Sequence, residues 1–102
     1  MGGTSEQQNA VTLLWQEHLV APFPPRLRTA DPAGVDVVLL DAGIAGCVSV
    51  WRKNGGRLDA GRQRTLLHCA RELERALPLV TDAEELRYLL RLRRLAELTA
   101  AH

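Results

Sequence analysis

Aromatic side chains are scarce in this chain of 102 residues: Trp15, Phe23, Trp51 and Tyr88 are the full set, and they are scattered. Single-stranded nucleic acids are held on clustered stacking platforms, so this scatter weakens that mode of binding. Lysine occurs once, as Lys53, and the formal net charge is only +1, so no global field recruits an anionic partner. The dominance of arginine over lysine reads as a mark of GC-rich coding rather than of function. Cysteine is limited to Cys47 and Cys69, too few for a secreted disulfide framework and without the paired spacing of a zinc or redox motif. Both thiols are expected to be reduced, buried and inert. The start Met1-Gly2-Gly3-Thr4-Ser5-Glu6 has no basic and then apolar leader, and Glu6 stands where a myristoylation start needs Ser or Thr. The expectation is a cytoplasmic protein.

Uninterrupted apolar runs are also lacking. The longest candidate, Val35 to Trp51, contains Asp36 and Asp41 and is followed by Arg52 and Lys53, which makes a membrane span costly. Hydrophobic residues at 46% and charged residues at 25% instead match a globular domain. One domain over 1–102 is expected, with residues 1–5 a flexible start and residues 21–31 a proline-rich linker within it.

Helical signals recur along the chain. Ser5 followed by Gln8 is a capping box, after which Val11, Leu14, Trp15, His18 and Leu19 keep helical spacing, predicting a helix over 6–20. Pro22, Pro24 and Pro25 end it, with Phe23 and Leu27 expected on the core. Asp31-Pro32 reads as a start and Asn54-Gly55-Gly56 as a stop, predicting a second helix over 32–53. That segment is apolar all round, hence expected to be buried all round at the centre of the fold, with Gly43 and Gly46 on a smooth face. Its β-branched residues keep a rival reading open, an α+β fold with a hairpin at 35–51. Asp59 caps a third helix over 60–77 that Pro78 stops. Thr81 with Glu84 is a second capping box, opening a fourth helix that runs to about residue 100. The predicted fold class is all-α, an antiparallel bundle of about four helices.

Chemistry-bearing constellations are few. His68 and Cys69 are adjacent on one helix and point about 100° apart, so they cannot share one tetrahedral metal ion. His18 lies on an apolar stripe as a core histidine bonded through one nitrogen, and Cys47 is the one thiol that could approach it. Neither glycine pair has the Lys-Ser or Lys-Thr of a phosphate loop. No catalytic residue, metal site or cofactor is therefore predicted. Asp41 is the odd placement, a carboxylate in an apolar helix that needs a partner; an arginine of the last two helices or an exposed strip is the structural reading, and an acid or binding anchor the functional one.

The fourth helix is apolar over more than half its circumference. If Leu86, Leu89 and Leu90 face the core, Tyr88, Leu92 and Leu95 are left as an exposed ridge flanked by Arg87, Arg91 and Arg94, and exposed ridges mark contact sites. The expected function is a small non-catalytic interaction or regulatory module with a protein partner or a second copy, a homodimer being the simpler case. The alternative is an anion or nucleic-acid binder using the arginine face of the last two helices, although interleaved glutamates argue for neutralisation there.

Overall fold

The computed structural model describes residues 4–101. Four α-helices, α1 (Ser5–Val20), α2 (Val37–Lys53), α3 (Ala60–Ala76) and α4 (Ala83–Ala100), pack together, with short 3-10 turns at Pro25–Arg28, Pro32–Gly34 and Leu77–Leu79. The all-α bundle is as the sequence predicts. The hairpin at 35–51 is overturned: that segment is helical from Val37, and no strand occurs among the described residues. Residues 1–3 of the expected flexible start lie outside the described residues; Thr4 caps α1 and Ser5 is its first residue.

Three of the four helix starts differ from the sequence reading, each for a physical reason. In α1 the cap is Thr4, whose hydroxyl accepts from Gln7 N at 3.0 Å while Gln7 Oε1 accepts from Thr4 N at 3.3 Å. Thr4…Gln7 and Ser5…Gln8 both satisfy the capping pattern, so tertiary contacts decide. In the observed register Gln7 Nε2 donates to Leu98 O (2.6 Å) and Ala101 O (3.0 Å), tying the start of α1 to the end of α4, and Gln8 Nε2 donates to Gly55 O (3.1 Å). In α2 the cap is Asp36, accepting from Leu39 N at 3.0 Å, five residues after the expected Asp31. Ala33 and Gly34 adopt left-handed φ of 55° and 74°, which a right-handed helix cannot propagate through, so Asp31-Pro32 opens only a turn. In α4 the cap is Asp82, accepting from Glu85 N at 3.0 Å, rather than Thr81. Only α3 starts as predicted, with Asp59 accepting from Arg62 N at 3.1 Å.

The larger correction concerns which helix is central. It is α4, packed against α1, α2 and α3, and not the segment 32–53. Tyr88, Leu89, Leu92, Leu95 and Ala96 of α4 are all buried, meeting Val11 and Trp15 of α1, Ile44, Val48 and Trp51 of α2, and Leu66, Cys69 and Leu73 of α3 in one core cluster. A helix surrounded on three sides buries a wide apolar arc within its own chain, so Tyr88, Leu92 and Leu95 form no exposed ridge. The expectation that α2 is buried all round fails in complementary fashion. Ile44, Cys47, Val48 and Trp51 face inward, whereas Val38, Leu39, Ala42 and Gly46 are exposed. A Cβ at Gly46 would meet nothing within 4 Å, so no neighbouring helix packs on that glycine.

The linker is fastened to the bundle from several points. Leu27 and Val35 are buried, Phe23 packs on the core, and the Arg26 guanidinium grips the buried Glu85 of α4 through two bonds of 3.0 and 2.6 Å. Arg75 of α3 donates to Ala33 O at 3.0 Å. A buried glutamate held by a two-pronged arginine is costly to break singly, so this pair fixes the linker on α4.

Candidate functional site

Where α1, α2 and α4 meet, three polar side chains converge inside the apolar cluster. His18 is supplied by the last turn of α1, Asp41 by the second turn of α2, and Tyr88 by the second turn of α4. An ionised carboxylate can only accept, so His18 Nε2 carries the proton and donates to Asp41 Oδ1 at 2.8 Å. The Tyr88 hydroxyl donates to Asp41 Oδ2. The imidazole stacks on Trp15 with centroids 6.0 Å apart and tilts against Tyr88 at 5.2 Å, and Phe23 from the linker meets Tyr88 edge-on at 5.4 Å. Arg91 lies over the Tyr88 ring at 5.3 Å.

The electrostatics follow from these contacts. Burial pushes the Asp41 carboxyl up, but the bonds from His18 and Tyr88, with the nearby charge of Arg91, outweigh it and hold the carboxyl below its ordinary value. Burial, reinforced by the bond to Asp41, pushes the Tyr88 hydroxyl up, so it stays a neutral donor. His18 Nδ1 is buried and has no hydrogen-bond partner. The cluster thus latches three helices together through one carboxylate.

The sequence reading of His18 as a core histidine bonded through one nitrogen matches this geometry. The reading of Asp41 is corrected in part: its direct partners are His18 and Tyr88, while Arg91 contributes through its charge alone. Cys47 does not meet His18; its thiol points to Arg62 O at 3.9 Å. Burial raises the pKa of both Cys47 and Cys69, so each is held as the unreactive thiol. No group of three or more His, Cys, Asp or Glu side chains with metal-binding geometry occurs among the described residues.

Of the proposed contact residues, Tyr88, Leu92 and Leu95 are interior, Arg91 is half-buried, and Arg87 and Arg94 are exposed. Arg87 is paired with Glu84 at 3.5 Å, and on α3 Arg75 is paired with Glu72, as the interleaved glutamates suggest. A groove of about 460 Å³ between the proline segment and α4 is bordered by Asp82, Glu84 and Glu85 as well as Arg87 and Arg91, so it favours neither charge sign. The surface that the sequence reading misses is the outer face of α2, with Leu39 69% and Val38 41% exposed beside Ala42 and Gly46. Its signal is present in the sequence as the run of small residues between Ala42 and Gly46, which fits an outward face as readily as an inward one. No helix among the described residues is long and apolar enough to cross a membrane. No protein family, curated protein or solved structure matches this chain.

Proposed function

We propose that the protein is a non-catalytic interaction module that docks through the outer face of α2, its simplest partner being the same face of a second copy. The observation that supports this reading is that the exposed residues of α2 between Val37 and Val50, namely Val38, Leu39, Ala42 and Gly46, are all uncharged. Water-facing positions of a surface helix ordinarily carry polar residues, and a contiguous apolar strip there gains from being covered. Gly46 adds to the argument. A glycine inside a helix costs about 1 kcal/mol relative to alanine, and nothing within the chain occupies the space beside it. A second helix crossing there gives that glycine a use, because its backbone approaches closely where a side chain would hold it off. The pair of buried, unbridged thiols supports a cytoplasmic location for the module.

Sedimentation velocity over a concentration series tests the reading. The wild-type chain is expected to dimerise as concentration rises, and Leu39→Glu, at a site exposed in the single chain, is expected to stay folded and monomeric. A wild type that is monomeric at every concentration refutes self-association, and a dimer untouched by Leu39→Glu refutes the choice of face.

A further inference from the structure

We infer that the concavity between α1 and the C-terminal end of α2 is a binding site for a small phosphoryl anion. It encloses about 490 Å³, within the range of small-molecule sites, and is formed by Gln8 and Thr12 of α1, Ser49, Arg52 and Lys53 of α2, and the Gly55-Gly56 turn. The lining, which also includes Trp51, holds two cations and no carboxylate. The ion pairs found among the described residues involve other arginines and two histidines, and none engages Arg52 or Lys53. That separates this concavity from the groove beside Tyr88, where three acids offset two arginines.

The end of a helix presents carbonyl oxygens that repel anions, and cations in a last turn are often explained by them. Here two of those oxygens are already bonded, as is Gly55 O beyond them. Val50 O accepts from Asn54 N at 3.0 Å, Trp51 O from Gly56 N at 2.8 Å, and Gly55 O from Gln8 Nε2 at 3.1 Å. The six-to-one bond between Gly56 and Trp51, with Gly55 at φ +66°, is a Schellman ending, and its two glycines put no side chain into the mouth of the site. With no ion pair among the described residues engaging them, Arg52 and Lys53 are available to a ligand. An arginine and a lysine together, with hydroxyl and amide groups around them, suit an anion with three or more oxygens and two charges better than a carboxylate, which one arginine satisfies alone. The volume leaves room for an organic body on that phosphoryl group.

Amide-resolved NMR titration at constant ionic strength tests the inference, with sodium phosphate, sodium acetate, adenosine 5′-monophosphate and adenosine as probes. Phosphate is expected to move the amides of Gln8, Thr12, Gly55 and Gly56 saturably, and acetate far less. Tighter binding of the monophosphate than of phosphate, with adenosine silent, identifies an organic phosphate as the ligand; equal binding identifies the free anion. Arg52→Ala and Lys53→Ala, both at exposed sites, are each expected to weaken binding by about tenfold, equivalent to about 1.4 kcal/mol, while Arg64→Ala is without effect. Shifts that never saturate, that acetate reproduces, or that Arg64→Ala abolishes as fully as Arg52→Ala overturn the inference. It is independent of the docking face, and Leu39→Glu is expected to leave the phosphate response intact.

Discussion

Replacing Asp41 by Asn removes a charge while keeping volume, and so isolates what the carboxylate contributes where α1, α2 and α4 meet. The carboxylate accepts from both His18 Nε2 and the Tyr88 hydroxyl. An amide has one oxygen; it can keep the His18 bond, and its NH2 can donate to the Tyr88 hydroxyl oxygen only if that hydroxyl turns its own proton away and loses the acceptor it has in the wild type. Hydrogen bonds to a charged group contribute about 1.5–3 kcal/mol each and neutral ones about 0.5–1.5 kcal/mol. Exchanging two charged bonds for two neutral ones, less the desolvation recovered by removing a largely buried charge, gives a net loss of about 2 kcal/mol at neutral pH. At about 4–8 °C per kcal/mol for a domain of this size, the melting temperature falls by about 8–16 °C. The sign with pH is fixed by the lowered carboxyl pKa. The stabilisation is fully present above the unfolded value of 3.8 and is lost as pH falls through the lower folded value. Urea unfolding followed by circular dichroism should therefore show a wide gap between wild type and Asp41→Asn at neutral pH that narrows at acid pH, as pH falls below 3.8. No gap at neutral pH, or one of equal size at both, refutes the latch.

Four further outcomes follow from the same contacts. The Tyr88 hydroxyl pKa is raised, so its contribution is present below the unfolded value of 10.0 and is lost as pH rises above it; wild-type stability should fall on that alkaline limb, and Tyr88→Phe should flatten it in a pH series of melting temperatures. Leu92 is 0% exposed and Leu39 69% exposed, so Leu92→Ala should cost about 2–5 kcal/mol and Leu39→Ala less than about 0.5 kcal/mol in denaturant titrations of the monomer. Gly46→Ala should stabilise the single chain by about 0.5–1 kcal/mol, because helix propensity improves and the added Cβ meets no atom, and calorimetry on dilute protein will show it. Cys47 and Cys69 should label with a thiol reagent only as fast as the chain opens, and addition of denaturant should accelerate both together.

Asp59 was legible as a cap because one acidic residue stands alone before one apolar stripe. Asp31 and Asp36 were not separable, since both suit a helix start and the deciding feature is the left-handed pair at Ala33 and Gly34, which only glycine in that pair announces. The width of the apolar arc on α4 was legible, but its cause was not. A wide arc is equally consistent with a central helix and with a surface helix that binds a partner, and the choice depends on packing between residues distant in sequence. The apolar composition of α2 misled in the opposite direction, because a segment apolar all round does not state how many neighbours it has. Asp41 stood out in the sequence as needing a partner, whereas His18 and Tyr88 are 23 and 47 positions away and share no local pattern with it.

An amide-resolved NMR concentration series on the wild-type chain tests the proposed docking face most directly. Self-association through α2 predicts that the amides of Val38, Leu39, Ala42 and Gly46 shift and broaden together as concentration rises, while those of Arg87 and Arg94 on α4 stay fixed. Spectra that do not change with concentration, or changes centred on the arginines of α4, contradict it.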